Sequence, residues 1–230
     1  MPALLIAIVG AESTGKSALA QDLTLRLTEA TGLRCAWVPE LLRAWCVAAG
    51  RTPQADEQHA IAVAQTAQID AAATLHDVVI CDTTALMTAV YSQYLFSDNS
   101  LLVDAQAFHR RCALTLLTAL DLPWMADGLQ RDGPQVRGPV DALIRAALLS
   151  AGLGWAVVAG AGAARVEAAL NAATPMLKSR SMPKRGLFTR LSDRQEALPE
   201  WRWTCDNCDV PECEHLALQR PSAALPQRQP

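Results

Sequence analysis

The eight residues GAESTGKS, Gly10 to Ser17, follow the apolar run LLIAIV and precede a segment whose leucines Leu19, Leu23 and Leu27 share one helical face. That pattern, G-x-x-x-x-G-K-[ST] between a strand and a helix, is a phosphate cradle. The backbone N–H groups of Gly10, Ala11, Glu12, Ser13, Thr14 and Gly15, together with the helix N-terminus, offer donors and positive partial charge to phosphate oxygens. Lys16 adds a point charge for the β- and γ-phosphates, and the Ser17 hydroxyl suits Mg²⁺. ATP and Mg²⁺ are the ligands expected.

A carboxylate at the end of a neighbouring strand completes the metal site in this kind of fold, and Asp82 in VICDTT has that place; its alternative role is to cap the helix starting near Ala85, which Thr83 could also do. Thr83 stands where many hydrolytic P-loop ATPases carry a water-activating glutamate, and no N-K-x-D guanine-reading motif occurs. Both absences point away from motors and GTPases and toward transfer to a bound acceptor. Glu40, ending the run CAWVPE, has two roles open to it: base toward an acceptor hydroxyl, or helix cap paired with Arg43. Gln65 and Gln68 share a helical face with Ile61, Ala64 and Ala72, turned either toward substrate or to an exposed edge. The stretch DLPWMADGLQRDGPQVR, Asp121 to Arg137, has the position of a mobile lid. Arg131 and Arg137 there would offset transition-state charge, an effect of about 10³ or more in rate where an enzyme uses one. Trp124 is either a core residue or a flat surface for a substrate ring.

A second constellation lies near the C-terminus. WRWTCDNCDVPECEH brings Cys205, Cys208, Cys213 and His215 within eleven residues, a Cys₃His set that tetrahedral Zn²⁺ accepts. The closing C-x-H is tighter than usual. A knuckle this short has no apolar core, so metal would supply most of its folding free energy. Basic residues before it, with Trp201 and Trp203 to stack on bases, also fit a nucleic-acid-binding appendage.

These residues need a scaffold, and the chain is long enough to build one. Its 230 residues, about half of them apolar, support a sizeable core. The apolar runs LLIAIV, CAWV, DVVICD, LTLLTAL and WAVVAG alternate with helical patterns. Continuous rather than alternating apolar strands indicate a parallel five-stranded sheet covered by helices on both faces, an α/β P-loop kinase fold. The reading divides the chain into a kinase domain at 1–177, a basic linker or flap at 178–200, a zinc-knuckle-like segment at 201–217 and a tail at 218–230. Charge follows that division: Met1 to Leu177 has 11 basic and 16 acidic residues, and Lys178 to Pro230 has 9 and 7. Four glycines interrupt the uncharged run 146–164, which reads as helix end, turn and strand rather than a membrane span. The first residues lack the basic start of a signal peptide, so the cytoplasm is the expected compartment. Cys35, Cys46, Cys81 and Cys112 read as small buried thiols.

GAESTGKS, the glutamate after strand two, the DTT after strand three and DLPWMADGLQR together resemble the ribosylnicotinamide kinase domain of NadR-type NAD-biosynthesis proteins, over roughly residues 4–173. The resemblance implies phosphorylation of the 5′-hydroxyl of nicotinamide riboside by ATP. It assigns Lys16 and Ser17 to ATP and Mg²⁺, Glu40 and Asp82 to the reaction centre, and Asp127 and Arg131 to acceptor and lid. The H-x-G-H signature of the adenylyltransferase found in larger NadR proteins is absent, so a second, NAD-forming activity is not expected. The competing expectation is a P-loop ATPase regulator that binds nucleic acid through its tail.

Overall fold

LLIAIV forms β1 (Leu4–Val9), buried at every residue, and the phosphate loop leads from it into α1 (Lys16–Thr31). The chain then runs through β2 (Cys35–Val38), α2 (Leu41–Ala49), α3 (Gln58–Leu75) and β3 (Val78–Asp82). It continues with α4 (Ala85–Phe96), α5 (Leu102–His109), β4 (Leu114–Thr118), α6 (Arg137–Ser150), β5 (Ala156–Val158) and α7 (Gly162–Lys178). This computed structural model describes residues 2–125 and 133–178. Asp127, Arg131, Cys205, Cys208, Cys213 and His215 lie outside them.

The five strands are parallel and ordered β2-β3-β1-β4-β5, so the expected sheet is present. Side-chain alternation along β1 divides the core. Leu4, Ile6 and Ile8 meet Leu19, Leu23 and Leu27 of α1 and Val166, Ala169 and Ala173 of α7. Val9 faces the other way, into a cluster with Leu86 and Val90 of α4 and Val140, Ile144 and Leu148 of α6. Burying each such Leu or Ile contributes about 1.5–3 kcal/mol, which explains why strands without a polar face are stable here.

Register places the chemistry. Ile8 of β1 pairs with Asp82 of β3, and Val38 of β2 pairs with Cys81. Asp82, Glu40 and the phosphate loop therefore emerge side by side at the carboxyl ends of adjacent strands, the edge where ligands bind in open parallel sheets. The uncharged run 146–164 resolves into the end of α6, a turn and β5, and among the described residues no helix is long and apolar enough to cross a membrane.

Candidate functional site

The phosphate loop owes its shape to two left-handed residues and to a close approach by β4. Ser13 has φ 55 and Gly15 φ 75. Gly10 lies so near Thr118 that a Cβ there would collide with the Thr118 hydroxyl. Thr14 is fully buried; its hydroxyl donates to Ala11 O at 2.8 Å and shares a hydrogen bond with Thr118 Oγ1 at 2.7 Å. The loop is thus pinned from beneath, in a shape suited to an anion cradle.

Lys16 starts α1, and its Nζ donates to Ala11 O at 2.8 Å. Burial lowers its pKa most strongly, while the nearby carboxylates of Glu40 and Asp82 raise it. Asp82 is 1% exposed, and burial raises its pKa against the opposing pull of Ser17 and Lys16. Asp82 Oδ1 is buried without a hydrogen-bond partner. An orphaned carboxylate oxygen beside a serine hydroxyl fits a hard divalent cation, and Mg²⁺ on a nucleotide draws most of its ligands from phosphate and water. Ser17 and Asp82 are the residues that would hold it. Among the described residues there is no group of three or more His, Cys, Asp or Glu suited to a metal held by protein alone.

The helix after Asp82 corrects one expectation. Neither Asp82 nor Thr83 caps α4; Thr84 does, its hydroxyl accepting from Leu86 N at 3.3 Å. Thr83 has φ 72, a left-handed step that turns the chain off β3 and moves the cap one residue along. Behind Thr84 lies His109, fully buried, with Nδ1 3.0 Å from Thr84 Oγ1 and Nε2 2.9 Å from Thr115 Oγ1. Each ring nitrogen thus has a threonine hydroxyl, which can donate or accept, as its hydrogen-bond partner. Burial holds the His109 pKa down to about 4.

Glu40 occupies the N-cap position of α2, but its side chain makes no capping hydrogen bond. It lies 3.9 Å from Arg43. The strand-to-helix corner that presents it is braced by Gln65, whose Oε1 accepts from Leu41 N at 2.6 Å and whose Nε2 donates to Pro39 O at 3.2 Å. Gln65 turns inward, toward backbone, while Gln68 is exposed.

Arg137 is the other correction. It begins α6 and is 8% exposed, so it belongs to a packed helix rather than to a lid loop. Its Nη1 donates to Leu122 O at 2.8 Å, which leaves Nε and Nη2 buried with no hydrogen-bond partner. Trp124 is half-buried, its indole N–H unpartnered. The segment carrying it is tied to the phosphate loop, because Met125 N donates to Ser13 Oγ at 2.8 Å. Arg165 of α7, which the sequence reading passed over, donates from Nη2 to Thr14 O at 2.9 Å and from Nη1 to Asp121 Oδ1 at 2.9 Å.

Comparison with known proteins agrees with this geometry. A family model described as an AAA domain matches residues 5–165. No curated protein matches the chain. Among solved structures, a NadR protein in complex with NAD and AMP-PNP is similar with a TM-score of 0.56 and 16% identity, over 75% of this chain and 50% of that one. A NadR protein in complex with NR gives 0.58 and 16%, over 74% and 51%. The chain thus spans about half the length of these NadR proteins. Thymidylate kinase from Ehrlichia chaffeensis gives 0.55 and 13%, over 76% of this chain and 100% of that one. At such identities the likeness is one of fold. With its phosphate loop after β1 and its 2-3-1-4-5 sheet, the chain has a P-loop kinase-like fold and belongs to the AAA domain family.

Proposed function

We propose that this chain transfers the γ-phosphoryl group of ATP to the hydroxyl of a nucleoside, with nicotinamide riboside as the preferred acceptor. One observation carries the reading: Lys16 lies within electrostatic reach of two acidic residues, Glu40 and Asp82, that end adjacent strands beside the phosphate loop. Two carboxylates with separate environments permit separate roles. Asp82, buried next to Ser17, serves the metal. Glu40 stands on the neighbouring corner, poised to accept the proton of an incoming hydroxyl.

The remaining residues complete the assignment. The amides of Gly10 to Gly15 cradle the β-phosphate, and Lys16 neutralises the β- and γ-oxygens. Ser17 and Asp82 would hold Mg²⁺, which would supply positive charge against the triphosphate. Arg131 would close over the phosphates from the lid, while Arg137 anchors the chain at Leu122 O. Trp124 and Asp127 contact the acceptor. Thr83, rather than a glutamate, follows Asp82, which disfavours activation of water. The kinase unit is residues 1–177; 178–200 link it to a structural zinc knuckle at 201–217, and 218–230 form a tail.

The test compares ATP consumption by the purified protein with no acceptor, with nicotinamide riboside, with thymidine and other nucleosides, and with nucleic acid. Consumption that rises with nicotinamide riboside above all others is the expected result. Equal consumption under every condition would make the protein a hydrolase, and stimulation by nucleic acid alone would favour the regulator.

A further inference from the structure

Arg165 sits in the first turn of α7, 4% exposed. A cation is misplaced there, since a helix N-terminus already carries positive partial charge. Something must offset that cost. Its Nη1 donates to Asp121 Oδ1 at 2.9 Å and to Gly160 O at 2.5 Å, and its Nη2 donates to Thr14 O at 2.9 Å and Ala119 O at 3.4 Å. Asp121 also accepts from Gly160 N at 2.5 Å. One guanidinium therefore joins the crest of the phosphate loop, the end of β4 and the β5–α7 turn.

Its hold on Thr14 is the informative contact. Thr14 lies between the left-handed Ser13 and Gly15, a turn geometry in which successive backbone N–H groups can line one concave face. Amides that face phosphate require a carbonyl that faces away, and a buried carbonyl needs a donor. Arg165 is that donor for Thr14. We propose that Arg165 is a positioning residue for nucleotide binding, holding the Thr14 carbonyl so that the loop's amides keep their aim. Through Asp121 that aim depends on the segment 121–125, whose Leu122 O anchors Arg137 and whose Met125 N donates to Ser13 Oγ. The proposal rests on the nucleotide-binding reading of the loop, and not on the identity of the acceptor.

The full-length chain and its Asp121→Asn, Arg165→Lys and Arg165→Met variants are compared by equilibrium binding of Mg-ATP, by thermal melting and by hydrogen exchange of the amides of residues 10–17. Asp121→Asn keeps shape, removes one charge and turns an amide NH₂ toward one of the two donors, Gly160 N or Arg165 Nη1, so it is expected to weaken ATP about fivefold, the effect of losing a charge-assisted hydrogen bond. Arg165→Lys keeps the charge but not the fork that reaches two partners, so it should weaken binding about tenfold and Arg165→Met by more. Loop amides should exchange faster in all three. A variant that melts earlier while its folded fraction binds ATP with unchanged Kd and unchanged loop exchange would reduce Arg165 to a helix anchor and overturn the proposal. If the Arg165 variants do not fold, Asp121→Asn decides alone by the same two readouts. A wild-type chain with no affinity for ATP removes the nucleotide reading itself, a result distinct from a wild type that binds and variants that bind equally well.

Discussion

Acidification should weaken this fold through a single histidine. His109 is fully buried between Thr84 and Thr115, and burial lowers its pKa from 6.5 to about 4. In the unfolded chain it takes up a proton near pH 6.5; in the folded chain it stays neutral until about pH 4. Between those values the unfolded state binds more protons, so stability rises with pH and is lost as pH falls from about 6.5 toward 4. The full difference corresponds to about 3 kcal/mol, and about 2 kcal/mol of it is lost by pH 5. The assay is urea unfolding of wild type and His109→Gln at pH 7.5 and pH 5. The glutamine retains a donor and an acceptor but does not titrate, so subtracting the two proteins' changes cancels every other group. For a urea slope of about 2 kcal/mol per M, the wild-type midpoint should fall by about 1 M more than that of the variant. Equal falls in both proteins would refute the buried neutral imidazole.

The other predictions concern the loop, the two acids and the tail. Gly10→Ala should weaken ATP binding more than tenfold in a titration with Mg-ATP, because its Cβ meets the Thr118 hydroxyl at a φ of +156°, and Thr118→Ala should restore part of the loss. Lys16→Ala should abolish phosphoryl transfer, while Glu40→Gln should leave the ATP Kd near wild type and lower kcat about 10²-fold or more, the usual range for losing a general base; near-wild-type kcat at saturating acceptor would make Glu40 a corner residue only. Purified full-length protein should contain about one zinc per chain by elemental analysis, lost in Cys205→Ser with Cys208→Ser. Equal zinc in both proteins, or none in wild type grown with zinc, would eliminate that site.

Some of the site could be read from sequence because its chemistry depends on neighbours in the chain. The phosphate loop is one example: backbone amides, two glycines, a lysine and a serine act within eight residues, so their spacing carries the meaning. Strand identity was legible for the same reason, since a strand buried on both faces has an uninterrupted apolar run. What could not be read depends on distant partners or on one-residue choices. Asp82, Thr83 and Thr84 all have cap-competent side chains, and only the left-handed Thr83 selects the third. Arg137 sits among glycines and prolines and reads as loop, yet Leu122 O and the packing of α6 bury it. Arg165 contacts residues more than forty positions away along the chain, at Asp121 and at Thr14. The one local signal was its charge, in the first turn of an alanine-rich helix where a cation is unfavourable. Gln65 offered a similar clue, an amide on an otherwise apolar helical face, and proved to brace the corner that carries Glu40.

The central claim is that the γ-phosphoryl group passes to a nucleoside hydroxyl and not to water. Incubating the protein with ATP labelled in the γ-phosphate, Mg²⁺ and nicotinamide riboside, then separating the products, follows that group directly. The account predicts label in a monophosphate of the nucleoside, esterified at the 5′-oxygen, with little label in inorganic phosphate and neither product formed by Lys16→Ala. Label found only in inorganic phosphate, at a rate indifferent to every nucleoside supplied, would contradict it.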